Sequence, residues 1–165
     1  WQPLARGDRL PAPEGVEVRV LGPPQDAPSS PECNAASVVL RLETAGRAML
    51  LTGDATPADL DAMAEGGGIR AEAVLLPHHG ERSPALTRFL DRTGARLGVM
   101  SVGRYRDGRR AEGFPWPRGL RIAKTYRDGA VTVRLDDEAA RMTTFCESPP
   151  EEGEDAESTA AAPGR

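Results

Sequence analysis

The stretch that most limits how this chain can fold is "AEAVLLP", residues 71–77, set between two helix-start signatures. It is a short apolar run of the kind buried on both faces of a sheet. Upstream, "TPADLDAMAEGGG" offers Thr56 as N-cap, Pro57 at the first helical position and Asp59 in the first turn. Leu60, Met63 and Ala64 supply an apolar face, and the glycine run stops the helix. Downstream, "SPALTRFLDRTG" repeats the design with Ser83, Pro84, apolar Leu86, Phe89 and Leu90, and Gly94 after the last turn. "ARLGVMSVG" then reads as another strand. Strands alternating with capped helices predict a layered α/β arrangement.

The flanks add antiparallel pieces. Val16, Val18 and Val20 alternate with Glu17 and Arg19, the pattern of a half-buried strand, and two prolines stop it. "QDAPSSPEC" reads as loop. Residues 37–42 and 48–52 form a hairpin pattern around Ala45-Gly46. A second hairpin is expected around Asp128-Gly129, with strands near 121–126 and 130–135, and a last strand near 139–146. The sheet should therefore be mixed, and no internal repeat is visible.

Charge divides the chain. The net charge is −4, but the segment from Glu147 onward holds six acids against Arg165. Residues 1–146 thus read as the folded domain, and 147–165 as an acidic, disordered tail. Cys33 and Cys146 are the two cysteines, too few for a disulfide framework or a thiolate zinc site. No apolar run approaches the roughly 20 residues a membrane helix needs. The chain opens on Trp1 without a signal-peptide pattern, and it is expected to be a piece of a longer protein.

Three loops follow strands: Thr52-Gly53-Asp54, Pro77-His78-His79-Gly80 and Ser101-Val102-Gly103. Sites in layered α/β sheets gather at strand ends, where loops aim side chains into a common crevice. One helix separates the Asp54 and His79 loops, so the two can meet. A carboxylate and an imidazole suit zinc or manganese, and a carboxylate can bridge two ions. The plainer alternatives stay open: an Asp before a helix is often only a cap, and a strand-end His is more often a surface residue.

"LLTGD", a capped helix, "AEAVLLPHHG", a second helix opening with "SP", "LGVMSVG" and "YRDGAVTV" recur in that order in one family. In this respect the chain resembles the C-terminal half of the metallo-β-lactamase-like domain of ComEC, the competence protein that takes up DNA. "NAASVVLRL" is similar to that family's strand opening, at Asn34 and Ser37. The resemblance covers roughly residues 16 to 135. It implies a layered metallo-β-lactamase-like (αββα) half-domain with a mixed sheet. It also implies Asp54 as the aspartate that bridges two metal ions, His79 as the last histidine ligand, and His78 as a neighbour acting on the substrate. The implied chemistry is metal-assisted phosphodiester hydrolysis. A backbone carbonyl or carboxylate behind the ligating imidazole would fix its tautomer.

The departures from the family pattern are equally informative. The principal His/Asp ligand cluster of this fold lies in its N-terminal half and is absent here. Two divalent ions, zinc or manganese, are expected in the intact domain. This chain holds at best half of their shell, and with that half alone it is not expected to be a competent enzyme. Glu81 stands where the family often has Ser, and "RYRDGRRAEGFPWP" lacks the His of the corresponding family segment.

Residues 104–127 carry eight Lys or Arg against two acids, interleaved with Tyr105, Phe114, Trp116 and Tyr126. Cations attract phosphates and aromatic faces stack unpaired bases, so Arg104, Arg106, Arg109, Arg110 and Trp116 are candidate contacts to single-stranded DNA or another phosphodiester. The plain alternative is a solvated loop whose Phe and Trp pack on the sheet edge. Three functions follow: part of a DNA hydrolase domain of a ComEC-type uptake channel, a non-catalytic nucleic-acid-binding or scaffolding domain without metals, or a stand-alone hydrolase of a small molecule. By resemblance, the remaining partner is the rest of a membrane-embedded parent chain, with this domain on the outer face of the inner membrane.

Overall fold

The computed structural model describes residues 3–26, 34–104 and 114–146. The expected acidic tail, 147–165, lies outside these residues, as do Cys33, Tyr105, Arg106, Arg109 and Arg110.

Seven strands form one sheet in sequential order: β1 (Arg9–Leu10), β2 (Val16–Gly22), β3 (Val39–Thr44), β4 (Arg47–Leu51), β5 (Ala73–Leu75), β6 (Leu97–Met100) and β7 (Arg121–Lys124). Pairing is antiparallel from β1 to β4 and parallel from β4 to β7. The sheet is therefore mixed, as the sequence pattern predicts. Helix α1 (Pro57–Gly66) connects β4 to β5, and α2 (Pro84–Thr93) connects β5 to β6.

Both helices start as their sequences dictate. The Thr56 hydroxyl accepts from the Asp59 N–H, and the Asp59 carboxylate accepts from the Thr56 N–H at 2.9 Å, a complete capping box. The Ser83 hydroxyl accepts from Leu86 N–H at 3.1 Å, and Gly94 N–H closes the far end on the Leu90 carbonyl. Leu60 and Met63 of α1 and Leu86, Phe89 and Leu90 of α2 form one core with Ala48, Leu50, Val74, Met100 and Ile122 of the sheet. Arg88 of α2 makes a two-pronged ion pair with Asp61 of α1, at 3.0 and 2.9 Å.

One expectation is corrected. No hairpin turns at Asp128-Gly129. Instead β7 pairs in parallel with β6, and a single helical turn, α3 (Thr125–Asp128), follows it. Asp128 is buried and accepts from the backbone N–H of Lys124 at 2.6 Å, so it closes that turn rather than a strand crossing. The hairpin lies one strand later. β8 (Val131–Leu135) pairs with β9 (Ala140–Thr144) as a separate two-stranded sheet. Its turn is held by Asp136, whose carboxylate accepts from the N–H groups of Glu138 and Ala139 at 3.0 and 2.9 Å. Arg47 ties this turn to β4 by donating to the carbonyls of Asp136, Asp137 and Glu138.

Candidate metal-binding pair at the strand ends

The parallel strands β4, β5 and β6 end side by side, and the loops beyond them carry Asp54, His78, His79 and Ser101. His79 Nε2 lies 4.0 Å from Asp54 Oδ1. On the other side of the ring, Nδ1 lies 2.8 Å from the carbonyl oxygen of Ser101. A carbonyl has no proton to give, so this contact is a hydrogen bond only with hydrogen on Nδ1. In the neutral ring Nε2 is then the nitrogen that keeps its lone pair, 4.0 Å from the carboxylate. The carbonyl partner expected for a ligating imidazole is thus present.

The backbone that presents His79 is unusual. His78 (φ 46°, ψ 47°) and His79 (φ 57°, ψ 28°) are both left-handed, and Gly80 follows at φ 79°. L-residues pay about 1–2 kcal/mol each in that region. Such strain persists only where the surroundings enforce it, and it clusters at functional sites. Here the enforcement is visible. His78 N–H donates to the Gly53 carbonyl at 3.0 Å, and Glu81 N–H to the His78 carbonyl at 3.1 Å. The hydroxyl of Thr52, wholly buried, donates to the Leu75 carbonyl. At Gly80 a Cβ would stand 2.6 Å from Cε of buried Met100, so the turn can pass only because that side chain is absent.

His78 does not join the pair. Its Nδ1 lies 3.4 Å from Glu81 Oε2, and its ring centroid is 6.3 Å from that of His79. Asp54 is no cap, since Thr56 and Asp59 supply the capping contacts. Its carboxylate and the His79 ring are both exposed, 47% and 43% for their side chains, so a solute can reach them.

The donor set fits a divalent ion in part. Bonds of 2.0–2.1 Å to nitrogen and oxygen at a tetrahedral angle put two donor atoms about 3.4 Å apart. The observed 4.0 Å is close to that bite. Among the described residues, no group of three His, Cys, Asp or Glu side chains comes together around it.

The basic stretch divides. Arg104 is exposed, beyond the β6 loop. Trp116 is half-buried, packed on the core together with Phe114, with their ring centroids 4.6 Å apart, and the Arg82 guanidinium lies 5.7 Å from the indole centroid. Tyr126 packs against the same core. Lys124 is buried, and Arg127 is committed to Asp128 by two hydrogen bonds. Thr52, Met100 and Thr125 were not singled out by sequence reasoning. A hydroxyl directly after the apolar run of β4 is the signal that could have marked Thr52; Thr125, after the charged Lys124, carries no such signal.

No protein-family model matches the chain. Over 152 residues, 89% of its length, the chain is 25% identical to ComE operon protein 3 of Bacillus subtilis (strain 168). It spans 19% of that relative's length. Among solved structures, a candidate Zn-dependent hydrolase of the metallo-β-lactamase superfamily from Thermotoga maritima aligns at 18% identity and a TM-score of 0.35, over 62% of this chain and 50% of that one. No helix among the described residues is long and apolar enough to cross a membrane. The expected ComEC likeness is borne out: the chain is similar to ComE operon protein 3, and its sheet is the mixed α/β sheet that this likeness implies.

Proposed function

We propose that residues 1–146 form part of a metal-dependent phosphodiester hydrolase domain of a ComEC-type DNA-uptake protein, completed by ligands outside this chain. The observation that carries this reading is the Asp54–His79 pair. A strained turn brings Nε2 of His79 to 4.0 Å from the Asp54 carboxylate, while the Ser101 carbonyl lies 2.8 Å from the opposite nitrogen. A divalent ion, zinc or manganese, would supply Lewis-acid polarisation of a phosphoryl oxygen there. Asp54 and His79 would hold it. His78, on the next position of the same turn and beside Glu81, would meet a leaving-group or phosphate oxygen.

Single-stranded DNA is the proposed substrate class, with Arg104, Arg106, Arg109 and Arg110 as phosphate contacts. Trp116 has a weaker claim on a base, because its ring packs on the core and under Arg82. The proposed location, the outer face of the inner membrane, follows from the resemblance alone. The alternative is a scaffold or nucleic-acid-binding domain without metals, which the metal content of the parent protein separates from the hydrolase reading.

The test is elemental analysis of the full-length parent protein. About two equivalents of Zn or Mn are expected, as in a two-metal site, with loss of metal in Asp54→Ala. Metal content unchanged by Asp54→Ala overturns the ligand assignment, and a metal-free parent with salt-sensitive DNA affinity supports the alternative.

A further inference from the structure

Beyond the last paired residues of β4 to β7, the hydrogen bonding continues from loop to loop. Thr52 donates to Leu75, and His78 N–H donates to Gly53. His79 Nδ1 bonds Ser101. Finally, the Thr125 hydroxyl accepts from Val102 N–H at 3.1 Å and donates to the Val102 carbonyl at 3.2 Å. β6 ends at Met100, so Val102 lies past the strand ladder, and one hydroxyl serves both of its main-chain groups.

The Ser101 carbonyl and the Val102 N–H belong to the same peptide unit. That unit is planar, and its C=O and N–H point in opposite directions. Holding the N–H on Thr125 therefore fixes where the C=O points, which is at His79 Nδ1. We propose that Thr125 is the positioning residue of His79: through the Ser101–Val102 peptide it keeps the proton on Nδ1 and leaves Nε2 bare toward Asp54. The value of that arrangement for an ion rests on the ligand reading given above, but the tautomer itself does not.

The experiment is long-range 15N–1H correlation of the His79 ring in the ion-free chain, above the imidazole pKa. The chain and Thr125→Ser, which keeps the hydroxyl, should show a single Nδ1–H tautomer. Thr125→Val should shift His79 toward the Nε2–H form that a free imidazole side chain favours, while the rest of the amide spectrum stays native. An unchanged tautomer in folded Thr125→Val overturns the proposal. Two measurements on the unsubstituted chain decide even where that variant does not fold. An Nε2–H tautomer of His79, or a Val102 amide that exchanges at the free rate, overturns it; an Nδ1–H tautomer with a protected Val102 amide supports it. Co2+ titration of the full-length parent protein adds a separate arm, with about ten-fold weaker binding expected in Thr125→Val. Absence of Co2+ binding by the unsubstituted full-length parent counts against the ligand reading alone, since the tautomer still decides on Thr125.

Discussion

On one face of the seven-stranded sheet, Ala48, Leu50, Val74, Met100 and Ile122 are buried under α1 and α2. On the other, Leu40, Leu42, Met49, Leu51 and Leu75 point away from the helices and stay half-buried, although Val20, Ala73, Leu97, Val99 and Ala123 on the same face are buried. Both faces are apolar, so strand composition alone does not distinguish them. What differs is the covering layer: two helices close over the first face, and the core they form includes none of these second-face leucines. Burial, not hydrophobicity, determines how much a side chain stabilises the fold. Three of the four buried polar residues among those described, Thr52, Lys124 and Asp128, lie by contrast at or just beyond the carboxyl ends of strands, and each has a main-chain or ionic role.

The sharpest way to break this comparison is Phe89→Ala. Phe89 is wholly buried between α2 and the sheet, and its loss should cost about 3–5 kcal/mol in urea unfolding. A cost below about 1 kcal/mol would mean that the helix layer is not where stability resides. Next is Gly80→Ala, at the strand-end site. The added methyl must take a left-handed φ of 79° and displace Met100, so about 2 kcal/mol of destabilisation is expected, together with loss of the His79–Ser101 bond. A neutral result would show that the HHG turn is not held against the helix-side core.

Asp128 tests the polar rim. Burial raises its pKa, but the Arg127 guanidinium, the Lys124 N–H and the neighbouring positive charges together outweigh burial and hold the carboxyl below its usual value. The unfolded carboxylate titrates near 3.9. The folded group titrates lower, so its contribution is complete above about pH 5 and falls as pH drops through the unfolded and then the folded value. Asp128→Ala should cost about 2 kcal/mol at neutral pH and flatten the acid limb of the stability curve. An unchanged acid limb would remove Asp128 from the explanation.

The helix-covered half was legible because its signals are local. Thr56-Pro57 and Ser83-Pro84 cap helices within four residues, and "AEAVLLP" can hardly be anything but a buried strand. The Asp128-Gly129 hairpin failed for the opposite reason. The dipeptide has the right turn chemistry, but Thr125 is engaged by Val102 on the neighbouring β6 loop, a long-range demand that no local pattern reveals. The site was legible in its side chains and illegible in its support. Asp54 and His79 advertise themselves by type. The contribution of Ser101 is a carbonyl, which every residue carries, and Thr125 acts only through a peptide plane.

The smallest expected effect bears most directly on the comparison. Leu42 sits opposite Met49 on the half-buried face, in the middle of the antiparallel pairing between β3 and β4. In the folded chain it has surrendered only part of its surface, so Leu42→Ala forfeits part of a transfer free energy and leaves little enclosed cavity. About 1 kcal/mol is expected, measured beside Phe89→Ala in the same urea series. Water already reaches the site, so the unfolding m-value should stay that of the unsubstituted chain. A cost equal to that of Phe89→Ala would require Leu42 to be enclosed in solution, and the second face would then be as completely covered as the first.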